Sequence, residues 1–204
     1  MNSIARCAAL LALSLTLFVP GPSGAADKDK KAQADAEMQA MMAKAKEAGT
    51  PGAGHEVLKN FEGEWTVASK SWMKPGDKPQ QSAGTSTFSW VLGGRFLKQD
   101  FKGNWGGEDF TGLGYVGYDN VKKEYVSVWM DSMSTGIAQA KGQYDTATKT
   151  ITDQGSFSCP IKGNVNYRSE WKILDKDKFS FSMYMPDPNG KEFRSMEMLY
   201  KRAK

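Results

Sequence analysis

The sequence predicts an all-β protein, an up-and-down antiparallel β-barrel of about ten strands preceded by a short N-terminal helix. Three observations carry this prediction. Residues 110–118 and 125–131 each alternate between two faces with a period of two, as β-strands do. A short polar connection, Asp119-Asn-Val-Lys-Lys123, joins the two segments as in a hairpin. The same pattern of strand and turn continues over most of the chain after residue 63.

Turn-like stretches divide the chain after residue 63 into about ten strand-length segments. They fall at residues 75–79, 93–94, 103–107, 119–123, 132–134, 145–148, 159–164, 175–177 and 186–190. Connections this short pair consecutive strands antiparallel, and such a sheet exposes two edges unless it closes. Closure predicts a barrel. A two-sheet sandwich is the alternative, although its crossovers need longer loops.

Residues 1–26 have the composition of a secretory signal peptide. One basic residue, Arg6, precedes an uncharged apolar run over residues 8–19, and small residues surround the expected cleavage point near Ala25 and Ala26. The apolar run is about half as long as a membrane-spanning helix requires; an uncleaved anchor is the alternative. We therefore expect a secreted or periplasmic bacterial protein with no stable membrane insertion after the signal is removed.

Residues 27–54 are predicted to form a helical leader and linker ahead of the barrel domain, residues 55–204. Met38, Met41, Met42 and Ala45 fall on one helical face, and Gly49-Thr-Pro-Gly52 ends the helix. A stripe this narrow buries little area, which favours a solvated leader. A Met-rich cover over a cavity mouth, or a segment that binds an envelope partner, is the alternative.

Cysteine count and charge argue against several classes of protein. Removal of the signal takes Cys7 with it and leaves Cys159 alone, so no internal disulfide is expected. The remaining thiol is either a small buried group or an exposed one. Loss of Arg6 leaves 26 Lys and Arg against 23 Asp and Glu, a net charge of +3. Because the two signs are interspersed along the chain, no nucleic-acid partner is expected.

The first and the last strand of the predicted barrel each carry one residue of a predicted pair. A short helix runs into Gly63-Glu-Trp65 at the first strand, and Arg202 ends the last strand. This arrangement is similar to the start of lipocalin-like barrels, in which the Trp plugs one end beneath a basic side chain from the last strand. We therefore predict a structural pair of Trp65 and Arg202, held by packing and a cation–π contact.

A set of motifs in fixed order resembles the family DUF1579, a domain of unknown function. The motifs are residues 50–58, Gly63-Glu-Trp65, and residues 90–97, 112–119, 127–136 and 190–193. The resemblance runs from about residue 38 to the C-terminus. It implies a lipocalin-like antiparallel barrel in an exported or cytosolic bacterial protein, and it implies no assigned reaction, ligand or catalytic residue.

Aromatic and Met side chains dominate the faces that we expect to line the barrel. The sets are Phe88, Trp90 and Leu92; Leu113 and Tyr115; Trp129 and Asp131; Tyr167 and Trp171; Phe179, Phe181, Met183 and Met185; and Met196, Met198 and Tyr200. A barrel of this size either holds one small ligand or fills with side chains, and the sequence leaves both open. A hollow barrel with this lining suits a small apolar or amphipathic molecule. The predicted ligand-binding residues are Trp90, Arg95, Tyr115, Trp129, Asp131, Met183 and Met198.

The polar residues near these faces allow two interpretations each. Arg95 either reaches over the barrel rim or forms a surface ion pair. Asp131 either accepts a hydrogen bond from a ligand or caps the turn that follows it. Arg168 and Glu170 lie opposite the face of Tyr167 and Trp171 and are expected in solvent.

Tests for enzyme chemistry mostly fail. His55, the only histidine, precedes the barrel, and one His with one Cys cannot build the usual zinc site. The stretch Gly112-Leu-Gly-Tyr-Val-Gly117 lies in a strand and opens no helix, so these glycines favour a bend of the barrel or close packing against an aromatic such as Trp129. We expect no metal, cofactor or catalytic residue, with an enzyme using Asp131 or Glu197 as the alternative. The sequence indicates neither the ligand's identity nor the oligomeric state.

Overall fold

The computed structural model describes residues 23–204, with side chains from residue 27 onward. The predicted signal peptide lies outside the described residues up to residue 22. Two helices come first, α1 (Ser23–Ala48) and α2 (Ala53–Leu58). Ten strands follow: β1 (Gly63–Ser71), β2 (Gln80–Val91), β3 (Phe96–Trp105), β4 (Glu108–Asp119), β5 (Glu124–Asp131), β6 (Ala138–Asp145), β7 (Thr150–Cys159), β8 (Gly163–Asp175), β9 (Lys178–Pro186) and β10 (Glu192–Arg202).

The ten strands form one closed antiparallel barrel. Each strand pairs with its neighbours in the chain, and β1 also pairs with β10. This closure confirms the predicted up-and-down barrel and excludes the two-sheet sandwich. One predicted turn is wrong in extent, because β3 continues to Trp105 and only Gly106-Gly107 connects it to β4. Both glycines have positive φ, 63° and 97°, as a tight two-residue hairpin turn requires.

The described helices differ in how much they bury. Of the described residues, 23–45 belong to one unit and 46–204 form another. In α1, Met38, Met41 and Met42 are 51%, 59% and 64% exposed, so the predicted Met stripe buries little area. Across residues 23–204, no helix combines the length and the apolarity needed to cross a bilayer.

Helix α2 packs against one end of the barrel, here called the α2 end. Leu58 in the helix and Phe61 just after it are fully buried in the barrel core. The imidazole of His55 accepts a hydrogen bond from the backbone N–H of Gly52 at 3.1 Å, and its ring meets the edge of Tyr118. The opposite end, called the far end, carries the loops 72–79, 106–107, 132–137, 160–162 and 187–191.

The structure brings Trp65 and Arg202 together at the α2 end. They are directly paired across β1 and β10, and the guanidinium carbon lies 4.3 Å from the centroid of the Trp65 ring. Arg202 also donates hydrogen bonds to the backbone carbonyls of Glu62, at 2.9 Å, and Lys176, at 3.1 Å. The guanidinium therefore ties the start of β1 to the turn before β9.

Replacing Arg202 with lysine is expected to lower the free energy of unfolding by about 1–2 kcal/mol. Lysine keeps the charge, but its single ammonium cannot bridge two carbonyls while it lies over an indole ring. Urea denaturation followed by tryptophan fluorescence measures the change. Lys201→Arg, on the exposed face next to it, is the control and should have no effect. Equal stability of the Arg202→Lys variant and the wild type would show that the bridge contributes nothing.

Candidate functional site

Aromatic side chains fill the barrel at the α2 end. We call this group the aromatic plug; it consists of Phe61, Trp65, Phe88, Trp171, Phe179 and Tyr200. Phe179 is at its centre, with ring centroids 4.1 Å from Tyr200, 4.7 Å from Trp65 and 4.9 Å from Phe61. All but Trp171 are almost completely buried. In this half of the barrel the predicted alternative of a filled core is the one observed.

Beyond the plug, the inward-facing side chains are not fully buried. Strand register puts them on the same face as the plug residues: Phe181 pairs with Trp171 and Met198, and Met183 pairs with Met196. A close-packed core leaves no water-accessible surface on its side chains. Yet a group of inward residues keeps part of its surface exposed: Trp129, Tyr167, Phe181, Met183 and Met198. Water therefore reaches part of each of these side chains, and we call the region of the barrel interior that they surround the inner chamber.

Two glycines on β4 make room for the largest ring of the inner chamber. A Cβ added to Gly112 would lie 2.1 Å from Cζ2 of Trp129, and one added to Gly114 would lie 3.1 Å from Cε3 of the same ring. The prediction that these glycines pack against Trp129 is therefore confirmed. The indole N–H of Trp129 donates to Oδ2 of Asp131 at 3.0 Å, while Oδ1 of Asp131 accepts from the backbone N–H of Met133. Asp131 thus caps the turn, as one of its two interpretations expected, and also holds the indole in place.

Substituting alanine for Gly112 is expected to displace the Trp129 ring and to lower the free energy of unfolding by about 1–3 kcal/mol, because an added methyl in a packed site forces its neighbours to shift. Near-ultraviolet circular dichroism should report the changed indole environment, and urea denaturation the loss of stability. Gly52→Ala is the matched control, since a Cβ there meets no atom within 4 Å. Identical spectra and stabilities for the two variants would contradict the contact.

A buried carboxyl group lies beside the inner chamber. Asp153 on β7 is only 3% exposed, and its Oδ1 has no hydrogen-bond partner among the described residues. Burial outweighs the opposing influence of the neighbouring Trp171 side chain and raises the pKa of Asp153 to about 7. Burial and the nearby charge of Asp153 also raise the pKa of the Tyr167 phenol, to about 12. Asp153 is therefore close to half-ionised at neutral pH.

Sequence reasoning missed Asp153, although a signal was present. Ile151, Asp153, Gly155 and Phe157 share one face of β7 by the period of two, so the carboxyl lies on an otherwise apolar face. Its partner across the strand pair is Gly142, and a Cβ there would lie 2.5 Å from Oδ1 of Asp153. An acid on the inward face of one strand, opposite a glycine on the inward face of the next, is the sequence pattern that would have identified Asp153.

Three of the predicted ligand-binding residues line the inner chamber, and Asp131 supports one of them. The three are Trp129, Met183 and Met198. Trp90 faces inward but packs against the core at the α2 end. Arg95 is exposed in the turn at that same end, where its Nη1 donates to the carbonyl of Leu92 at 3.0 Å. Arg95 is therefore far from Asp131, which ends β5 at the far end of the barrel.

The expectation that Leu113 and Tyr115 face inward is wrong. Tyr115 pairs with Lys98 and Val128, while buried Leu97 pairs with Val116, so the inward residues of β4 are the even-numbered ones. Tyr115 instead lines an open groove of about 940 Å³ on the outer face of the barrel. The error arose because the larger side chains were assigned inward, whereas the chamber needs the small ones there.

The outer groove is bordered by Lys122, Glu124 and Lys141 and by a paired cluster of charges around Arg168. Arg168 forms ion pairs with Glu170 and Glu192 and stacks on the ring of Tyr184 at 4.0 Å. Mutual neutralisation of this kind leaves little attraction for a ligand. We take the inner chamber as the stronger candidate site, because its lining is apolar and an unpaired carboxyl oxygen, Oδ1 of Asp153, is buried beside it.

The geometry gives no support to an enzyme built on Asp131 or Glu197. Glu197 lies on the outer face, where it pairs with Lys70 across the strands and forms an ion pair with Arg194. Asp131 is occupied by the Trp129 indole and the turn backbone. Arg95 is at the opposite end from Asp131.

Comparison with known proteins agrees with this architecture. The model of a family described as "Protein of unknown function (DUF1579)" matches residues 50–202. No curated protein matches the sequence. The crystal structure of Rv2717c from M. tuberculosis is similar to this chain, with 17% identity and a TM-score of 0.57 over 76% of this chain and 100% of that one. At this identity the likeness shows the fold alone.

Two redesigned β-barrels also match, with less structural agreement. The barrel b11L5F_LGL is 15% identical and covers 74% of this chain and 96% of its own, with a TM-score of 0.38. The barrel mFAP1, whose structure is bound to DFHBI, is 14% identical and covers 74% of this chain and 100% of its own, also with a TM-score of 0.38.

Proposed function

The chain belongs to the DUF1579 family of proteins of unknown function, and on that premise we propose that it binds one small apolar or amphipathic molecule, non-covalently, in the inner chamber. One observation carries the proposal. Inward-facing side chains beyond the aromatic plug keep water-accessible surface, although five of the six plug residues are almost completely buried. When apolar surface inside a barrel is exposed to water, a ligand that covers it gains binding free energy.

The chemistry of the wall supports an apolar or planar ligand body. Trp129 and Tyr167 offer flat ring faces, and the thioethers of Met183 and Met198 adapt to irregular shapes. The plug closes the α2 end with stacked rings, so a ligand would enter from the far end. Strand order places Asp131 at that end, where it fixes the Trp129 indole beside the path.

Titration with N-phenyl-1-naphthylamine, whose fluorescence rises in apolar surroundings, tests the proposal. The wild type is expected to bind one equivalent. Met183→Trp should weaken binding at least about tenfold, because the larger ring fills the chamber that Met183 lines. Displacement by extracted lipids and metabolites, followed by mass spectrometry, would then identify natural ligands.

The matched control for this titration is Ser182→Trp, which adds the same ring to the neighbouring outward position. Its affinity should equal that of the wild type. Circular dichroism checks that both variants fold. Absence of saturable binding by the folded wild type would refute the proposal, as would equal weakening by the two substitutions.

We also propose that the protein acts outside the cytoplasm, as the composition of residues 1–26 indicates. Expression of the full chain in a bacterium, followed by cell fractionation and N-terminal sequencing, tests this proposal. A periplasmic or extracellular product that begins near Ala26 or Asp27 is the expected result. A full-length product in the cytoplasm would contradict it.

A further inference from the structure

The carboxyl group of Asp153 has an acceptor oxygen that is buried without a cation or a hydrogen-bond donor among the described residues. Oδ1 of its carboxyl group accepts no hydrogen bond from the described chain, and the neighbouring Trp171 side chain only partly offsets the burial of the group. A buried ionised carboxylate is costly unless it is paired. Native proteins leave few buried polar atoms in this state, and each asks for an explanation.

The residues around Asp153 supply no cation. The strand partners that face it are Gly142 on β6 and Ser169 on β8, and the nearby titratable groups are the phenols of Tyr125, Tyr144 and Tyr167. None of these groups can carry a positive charge. Asp153 also belongs to no set of three or more His, Cys, Asp or Glu side chains that could hold a metal ion within the described residues. Residues 27–204 supply no partner for Oδ1, which leaves this atom available to a bound molecule.

Asp153 lies next to the wall of the inner chamber. Asp153 pairs with Ser169 on β8, and Ser169 pairs with Met183, which lines the chamber. Tyr167, also of the chamber wall, is close enough to Asp153 for the carboxylate charge to raise the pKa of its phenol. Oδ1 is buried, so a ligand group reaches it only when the side chains around it move. Tyr167 and Trp171 lie close to Asp153, and aromatic rings attract cations in addition.

We propose that the ligand of the inner chamber is an apolar or aromatic amine, whose protonated nitrogen pairs with the carboxylate of Asp153. This inference rests on the proposed function, since it assigns a chemical class to the molecule that the chamber holds. An ammonium group satisfies the carboxylate and lies among ring faces, whereas a neutral alcohol of the same shape offers only one weak donor. A carboxylate ligand would be repelled by Asp153.

Two ligands that share one ring system separate this inference from the proposed function. At pH 8, calorimetry is expected to show 1-naphthylmethylamine binding the wild type at least about tenfold more tightly than 1-naphthalenemethanol. Asp153→Asn should remove that preference and leave the affinity for the alcohol within about threefold of the wild type. The substitution keeps the shape of the side chain and deletes its charge.

A second measurement needs no variant. Between pH 8 and pH 5.5 the amine stays protonated while Asp153 gains a proton, so the wild type should lose its preference for the amine as the pH falls, with no change for the alcohol. Equal affinity for the two ligands at pH 8 would overturn the inference and leave the proposed function standing. Failure of both ligands to bind would overturn both. A preference for the amine that persists in Asp153→Asn or at pH 5.5 would place the cation elsewhere.

Discussion

Replacing Phe179 with alanine is expected to lower the free energy of unfolding by about 4 kcal/mol, the largest effect of any single truncation proposed here. Phe179 is 1% exposed and is the hub of the aromatic plug, in ring contact with Phe61, Trp65 and Tyr200. Truncation removes the transfer free energy of a buried ring and leaves a cavity among partners that are themselves large and rigid. These rings come from β1, β10 and the segment after α2, so they cannot collapse into the space independently.

Urea denaturation monitored by tryptophan fluorescence measures this loss. Phe96→Ala is the matched control: the same atoms are removed from a side chain that is 37% exposed on the outer face, and we expect a loss below about 1 kcal/mol. If the two substitutions cost the same, the plug is not the stabilising centre of the barrel.

Replacing Asp153 with asparagine is expected to make stability less sensitive to alkaline pH. The pKa of Asp153 rises from an ordinary 3.8 to about 7 on folding. A raised carboxyl pKa means that the folded state holds the proton more tightly, so the wild type loses stability as the pH rises from about 4 to 7, and the penalty is complete above the folded pKa. The free energy of unfolding of Asp153→Asn relative to the wild type should therefore increase by about 2.5 kcal/mol between pH 5 and pH 8.

Denaturation of both proteins at pH 5, 6, 7 and 8 gives this difference directly, and titrations common to both cancel. The control is Asp145→Asn. The backbone N–H of Ala147 donates to the Asp145 carboxylate and lowers its pKa, so this substitution should bring no gain at pH 8. A difference for Asp153→Asn that stays flat with pH would show that the carboxyl is already paired or solvated.

The barrel could be predicted because its determinants are local. Period-two alternation defines each strand, and turn residues such as Asp119, whose carboxylate accepts the backbone N–H of Val121 and Lys122, define the connections. Short connections leave few topologies. The contact between Trp65 and Arg202 could be predicted for a related reason. Trp65 lies at the start of the first strand and Arg202 at the end of the last, and these two strands pair when the barrel closes.

The interior was harder to predict because the direction in which a side chain points, inward or outward, depends on residues from other strands of the barrel. On β4 both faces carry aromatic residues, and the inward one also carries Gly112 and Gly114, which are small only because Trp129 of β5 lies over them. A rule that large apolar residues face inward therefore chose Tyr115 wrongly. Whether the barrel is filled or hollow depends in the same way on how far rings from distant strands reach each other.

The same reasoning explains why Asp153 was missed. A single acid in an alternating strand is usually solvated, and only the pairing of Asp153 with Gly142 and Ser169 shows that it is enclosed. Burial of this kind is a property of the closed barrel and of no single strand. Its pattern on the face shared with Ile151 and Phe157 is nevertheless visible in the sequence and can be sought in other barrels.

A crystal structure of the protein soaked with 1-naphthalenemethanol tests the central claim, an accessible inner chamber, most directly. The account predicts electron density for the ring system inside the barrel, against Trp129, Met183 and Met198 and beyond the plug formed around Phe179. Density only in the outer groove beside Tyr115, or an interior closed by side chains in mutual contact from the plug to the far end, would contradict it.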